Sequence, residues 1–447
     1  MERKVPQNNE AEMAVLGAVF LSTSSLDKVS EELTRDMFYL KSHQLIFDTI
    51  LSLRENNIPI DIKTVTDELD KKKNLTSIGG VDYLIEIVDS VGVAANLEYY
   101  INIVKEKAVL RSLIDNATSI VTSAYESTDS LNDILDEADR KISNVIKNRK
   151  TSEFLPISKV IRSTQENIER LAKNKSNITG LATNFYRLDE ITGGLQPNTL
   201  TIIAARPAMG KTAIGLNLAT NAALNSSATV AIFSMEMGAE QLAIRMISSI
   251  GGVDSRKIER GILENADWKR VNEAMSQLAD SKIFIEDASG MTVSEIKAKC
   301  RRLANSDTGL DLVVIDYLQL IQGSSRYAGN RQQEVSEISR SLKMMAMELH
   351  IPVVALAQLS RSVELRESKK PTLSDLRESG SIEQDADIVS FLYREDYYQK
   401  NYDPKNTNYI SEAELIIGKN RNGVTGTINL IFEMNYSNFK NALRTEE

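Results

Sequence analysis

The chain has 447 residues and a formal net charge of -9, with 42% hydrophobic and 26% charged residues, the composition of a globular protein with room for two or three domains. One cysteine, Cys300, and two distant histidines, His43 and His350, exclude an internal disulfide and argue against Cys-rich or histidine-based metal and triad chemistry. The acidic balance argues against a surface coated for non-specific nucleic-acid binding and leaves room for a local basic channel, while the absence of an apolar run near the roughly 20 residues of a membrane span, and of an apolar core after Met1-Glu2-Arg3-Lys4, predicts a cytoplasmic protein without a membrane partner.

Residues 1–150 read as all-helical. Met13, Leu16, Val19 and Phe20 recur at helical spacing, as do Leu113, Ala117, Ile120, Val121 and Ala124, and then Leu131, Ile134, Leu135, Ala138, Ile142, Val145 and Ile146. The last two sets flank the polar break Glu126-Ser127-Thr128-Asp129-Ser130 and predict an antiparallel helical hairpin. Ile78-Gly79-Gly80 marks a turn between earlier helices. No catalytic constellation occurs here, so the region reads as an interaction domain. Residues 151–179 read as a linker carrying an amphipathic helix, Ser158 to Lys173, whose Val160, Ile161, Ile168 and Leu171 must be buried on this chain or on a neighbour.

From 180 to 447 the period changes. Short β-branched runs, Leu200 to Ala204, Thr229 to Phe233, Lys282 to Glu286, Leu312 to Asp316, Pro352 to Leu356 and Ile388 to Tyr393, alternate with helical segments and predict a doubly covered parallel sheet. Ala413 to Lys419 and Gly426 to Phe432 flank Asn420-Arg421-Asn422-Gly423, whose Asn-Gly predicts a hairpin. The fold class is an α/β nucleotide-binding domain with a mostly parallel sheet and an antiparallel extension, behind a helical front.

Thr199 to Thr212 read as a strand, a tight loop and a helix start ending in Gly210-Lys211-Thr212. Loop amides over Ala205, Arg206, Pro207, Ala208, Met209 and Gly210 can surround a β-phosphate at the positive end of the helix, Lys211 can reach β- and γ-phosphate oxygens, and Thr212 can ligate Mg²⁺. Ala205 stands where the motif's first glycine is expected. Asp316 ends an apolar strand expected beside the one feeding this loop, which makes it a partner of Mg²⁺ through water. Glu236, after the strand Val230 to Phe233, is placed to orient and deprotonate the attacking water, and Gln358 is placed at the same edge to sense the γ-phosphate.

Together these residues resemble the RecA-like hexameric helicases, and within them the bacterial replicative DNA helicases of the DnaB type. The likeness spans nearly the whole chain: Pro6-Gln7-Asn8-Asn9-Glu10-Ala11-Glu12, the phosphate loop, Ser234-Met235-Glu236-Met237, Ile315-Asp316-Tyr317-Leu318-Gln319, and most specifically the string Asp375 to Asp387. The resemblance implies a homohexameric ring that uses ATP and Mg²⁺ to move 5′ to 3′ on single-stranded DNA and unwind the duplex at the fork, with primase and a helicase loader as partners. It implies that Lys419 and Arg421 act in the neighbouring subunit's ATP site, that the helix Ser158 to Lys173 docks on a neighbour, and that Arg377, Glu378 and Gly380 lie on a channel loop. The segment from Ser360 to Gly380 is polar, carries Arg361, Arg366, Lys369, Lys370 and Arg377, and lacks aromatic residues, which suits backbone rather than base reading. Gly323 to Arg331 is a second channel candidate. A RecA-like filament or scaffold protein would share the phosphate loop, but the helical region 1–150 and the string Asp375 to Asp387 weigh against it.

Overall fold

The computed structural model describes residues 4–90, 96–126, 178–323, 330–399 and 410–442 with isolated positions between 134 and 169, and only the backbone at Thr23 and 377–380. The chain divides into two compact units, residues 1–156 and 157–447. The return limb of the predicted hairpin (131–146), the helix Ser158 to Lys173 and loop residues 324–329 fall largely or wholly outside the described residues.

The first unit is a helical bundle around the helix Asn9–Leu21, which packs against Leu97–Glu126, Gly80–Asp89, Thr23–Glu32 and Lys41–Glu55. Its N-terminus is fixed by Asn8, whose side chain accepts from Ala11 N at 3.0 Å, and Asp61 and Thr64 cap the helix Ile62–Lys71 reciprocally. Gly79, at φ 104°, ends one short helix and begins the next. Val15, Leu16, Phe47, Ile50, Leu84 and Ile101 form the core. Within it Glu12 accepts from Tyr39 N and from His43 Nδ1, both at 2.7 Å, and His43 Nε2 meets Tyr83 Oη at 2.8 Å, so His43 is consumed by packing.

The second unit is built on a nine-stranded sheet in the order β3-β2-β4-β5-β1-β6-β7-β8-β9. Strands β1 (Leu200–Ala205), β2 (Val230–Ser234), β3 (Ile283–Glu286), β4 (Leu312–Asp316), β5 (Val353–Gln358) and β6 (Ile388–Tyr393) run parallel; β7 (Ile410–Asn420), β8 (Gly426–Glu433) and β9 (Asn438–Asn441) extend the sheet antiparallel. Alternate residues feed two cores, as the two-residue period of a strand requires. Ile203, Val230, Val314 and Leu356 join one core with Ile214 and Leu218 of the helix Lys211–Ser226; Ile202, Ala231, Val313 and Val389 join the other with Ile296 and Leu342 of Val293–Ala304 and Arg331–Leu349. Among the described residues, no helix is long and apolar enough to cross a membrane.

Two expectations are corrected. β4 does not lie beside β1, because β5 pairs with both and separates them. The helix Arg331–Leu349 returns the chain from β4 to a position between two strands already laid down, a spatial order that strand sequence does not encode. The extension also holds β9, which carries one apolar residue, Phe439, between polar neighbours and lacks a strand signal; its burial against Phe432, ring centroids 4.3 Å apart, accounts for it.

Candidate functional site

The C-terminal ends of the parallel strands converge on one edge, where the phosphate loop leaves β1. Ala205 is the last residue of β1, paired to Gln358 and Leu392 and buried, so at this position a small residue serves a strand end. Ala208 (φ 64°) and Gly210 (φ 99°) both take left-handed backbone, the alternation that aims successive amides into one concavity. A Cβ on Gly210 would come within 2.8 Å of Phe439 Cζ, so β9 walls the loop from behind. Phe439 N donates to Asn217 Oδ1 at 2.8 Å, fastening that wall to the helix Lys211–Ser226. Pro207 and Ala208 are exposed and Met209 is buried in the core, its N–H donating to Arg206 O at 3.3 Å. The Arg206 guanidinium is buried and turned to Glu364 Oε1 and Leu359 O, each at 2.8 Å, so its side chain takes no part in the phosphate cradle.

The helix Lys211–Ser226 packs against β1, β5, β4 and β2, and this brings Lys211 and Thr212 to Asp316 despite the intervening strand. Thr212 Oγ1 donates to Asp316 Oδ2 at 2.6 Å, and Lys211 Nζ lies 3.1 Å from Asp316 Oδ1, 4.0 Å from Glu236 Oε2 and 3.7 Å from the Tyr317 ring centre. Burial pushes the Lys211 ammonium below its ordinary pKa, against the pull of the Asp316 and Glu236 carboxylates. Asp316 Oδ1 is buried and, despite facing that ammonium, makes no hydrogen bond of good geometry. An unsatisfied carboxylate oxygen beside a threonine hydroxyl is a donor set suited to a hard cation such as Mg²⁺. β2 pairs Ser234 with Asp316, which puts Glu236 just past the edge with its side chain 53% exposed, open to water. Gln358 ends β5 exposed; its N–H donates to Gln319 Oε1 at 3.1 Å and its carbonyl accepts from Gln319 Nε2 at 3.0 Å.

Two residues were given no role by the sequence reading. Gln319 clamps the end of β5 as just described. Arg245, half-buried on the helix Ala239–Gly251, lies within electrostatic range of the site: burial lowers its pKa, while the charges of Asp316, Glu259 and Glu236 oppose that shift. An arginine inside a helix carries no pattern that separates it from a solvated face.

Arg361 is exposed on the turn Arg361–Leu365. The backbone of Arg377 and Glu378 belongs to the turn Leu373–Ser379, broken at Leu376, and Gly380 begins the helix Gly380–Asp385; their side chains lie outside the described residues. Gly323 N donates to Glu334 Oε1 at 2.8 Å, and Arg331 Nη2 donates to Gln319 O at 2.6 Å. Lys419 Nζ donates to Glu383 O and Ala386 O, at 2.5 and 2.9 Å, and burial chiefly lowers its pKa. Arg421, 50% exposed, reaches Gln384 O at 3.1 Å and Asp387 Oδ1 at 3.4 Å. In the single chain this pair therefore rests on residues 383–387.

The model of the DnaB-like helicase N terminal domain matches residues 4–106, and that of the DnaB-like helicase C terminal domain matches residues 180–441. The chain belongs to the DnaB-like helicase family. It is 51% identical to the replicative DNA helicase DnaC of Bacillus subtilis and 51% identical to the replicative DNA helicase DnaB of Geobacillus stearothermophilus, in each case over 99% of this chain and 96% of the relative. Among solved structures, a DnaB-like replicative helicase studied with its interactions with primase superposes with a TM-score of 0.76 at 34% identity, covering 98% of this chain and 100% of that one. A second solved structure, an ATPase domain, superposes with a TM-score of 0.60 at 40% identity, covering 65% of this chain and 100% of that one. The fold class read from the sequence holds, and the DnaB-like chain is an ATP-dependent replicative DNA helicase.

Proposed function

We propose that this DnaB-like helicase works as a homohexameric ring that encircles single-stranded DNA and steps 5′ to 3′ along it. The observation that carries the reading is the convergence of Lys211, Thr212, Asp316 and Glu236 at one strand edge. Lys211 and the loop amides hold the triphosphate, Glu236 orients and deprotonates the attacking water, and Gln358 reports phosphate state to the segment beyond β5. Thr212 and, through water, Asp316 would hold Mg²⁺, which when bound offsets charge on the phosphate oxygens.

Completion of the site needs a neighbour. Lys419 and Arg421 sit at the end of β7 and the turn after it, and the resting contacts of Arg421, two partners at 3.1 and 3.4 Å on a half-exposed side chain, are weak enough to exchange for a γ-phosphate across a subunit boundary. Arg361, Arg377 and the backbone near Gly380 contact DNA phosphates, with Glu378 positioning Arg377. The domains are residues 1–150 as a collar that receives primase, 151–179 as a linker whose helix docks on the next subunit, and 180–447 as the motor; a loader places the ring on DNA. The site of action is the cytoplasmic replication fork.

The experiment is strand displacement on forked duplexes with one or the other tail blocked. Displacement by the wild type should require ATP and a free 5′ tail on the encircled strand and should vanish in Lys211→Ala. ATP hydrolysis without displacement on any fork, with or without a loader, overturns the ring-helicase reading in favour of a scaffold.

A further inference from the structure

The side chain of Arg206, in the phosphate loop, reaches a segment 153 to 158 residues further along the chain. Its Nε donates to Glu364 Oε1 and its Nη1 to Leu359 O, both at 2.8 Å, and the preceding residue holds the same turn from its other side, Ala205 O accepting from Leu359 N at 3.0 Å. Residues 205 and 206 therefore grip the turn Arg361–Leu365 at its entrance and near its end. Val363 is buried within the turn and Ser360 caps it, its hydroxyl accepting from Ser362 N at 3.3 Å, whereas Leu365 is 88% exposed.

The far side of the turn is tied to the candidate DNA segment. Arg366 Nη2 donates to Asp375 Oδ2 at 2.5 Å, Ser360 N donates to Asp375 O at 3.3 Å, and the Asp375 carboxylate accepts from Thr372 N at 2.7 Å. Asp375 is buried and lies within Leu373–Ser379, the element that leads into Gly380. Two charge-assisted links in series, Arg206–Glu364 and Arg366–Asp375, thus connect the phosphate loop to residues 373–380.

From this geometry we infer that Glu364 is a positioning residue that couples nucleotide occupancy to DNA binding through Arg206. The inference rests on the reading of residues 360–380 as a DNA-binding segment. The Arg206 side chain is 8% exposed and that of Glu364 36%, and an ion pair taken this far out of water adds little net stability compared with an apolar contact. It does fix direction: a planar guanidinium holding both Glu364 and Leu359 O transmits a change in the main chain at residue 206 to two points of the turn. Coupling of binding is reciprocal, so DNA held by the segment alters nucleotide affinity by the same factor as nucleotide alters DNA affinity.

The test is Glu364→Ala in the full chain, with Glu364→Gln, which keeps an oxygen acceptor for Arg206, as the conservative variant. Direct binding of single-stranded DNA by the wild type is measured first, with and without a non-hydrolysable ATP analogue, followed by ATPase activity with and without DNA. Glu364→Ala should keep DNA-free kcat and KM within about twofold while losing about three- to tenfold in both DNA stimulation and the nucleotide dependence of DNA affinity; Glu364→Gln should recover a substantial part. Unchanged stimulation in Glu364→Ala overturns the inference. So does an equal fall in DNA-free hydrolysis, which would make the pair a brace for the phosphate loop alone. A wild type that fails to bind single-stranded DNA overturns the reading of the segment and the inference with it, and the first measurement separates that case from the others.

Discussion

Asp316→Asn removes one negative charge from the centre of the site and keeps its shape. Lys211 Nζ lies 3.1 Å from Asp316 Oδ1 and 4.0 Å from Glu236 Oε2. At an effective dielectric constant of about 20 these distances correspond to gross attractions of about 5 and about 4 kcal/mol, and the second is screened because the Glu236 side chain is 53% exposed. The asparagine leaves a buried ammonium, already pushed below its ordinary pKa by desolvation, with one weak partner. Breaking a buried pair from one side costs roughly 3–5 kcal/mol; because the amide oxygen still accepts from Thr212 Oγ1, the expected loss is near the lower end, about 3 kcal/mol, or about 6–12 °C in the melting of the ATPase unit. A bound triphosphate gives Lys211 new anionic partners, so in EDTA a nucleotide should stabilise the variant by more degrees than it stabilises the wild type. Hydrolysis with Mg²⁺ should fall by about a hundredfold or more. The assay is thermal melting with and without nucleotide in EDTA, beside steady-state hydrolysis with Mg²⁺. An unchanged melting temperature without nucleotide, or a smaller nucleotide-induced rise than in the wild type, refutes the reasoning.

The remaining predictions concern the loop and the trans-acting pair. Gly210→Ala forces a side chain onto backbone at φ 99° and places its Cβ 2.8 Å from Phe439 Cζ, at about 1–2 kcal/mol for the conformation and about 1–3 kcal/mol for displacing the ring; ATP affinity measured by titration should fall at least about tenfold, and unchanged affinity would remove β9 as the wall of the loop. Arg421→Ala should lower hydrolysis by about a thousandfold while ATP affinity stays within about twofold, because its resting partners are Asp387 and Gln384 O and not the phosphate loop; a proportionate loss of affinity would place Arg421 in its own subunit's site.

What the chain determined by itself was local in character. Gly210-Lys211-Thr212 and the apolar runs that became β1, β2, β4 and β6 are readable because phosphate binding and burial on both faces of a strand each demand particular residues at adjacent positions; Asn422-Gly423 marked the turn between β7 and β8, although neither residue takes left-handed backbone there. Only the tertiary structure decided which distant groups meet. It inserted β5 between β1 and β4, paired the Arg206 guanidinium with Glu364, brought Arg245 within electrostatic range of Asp316 and Glu236, and built β9 from a segment with one apolar residue. A two-residue period tells which face of a strand is buried and says nothing of which strand lies next to it, and a long charged side chain takes whichever buried partner the packed backbone brings within hydrogen-bond reach.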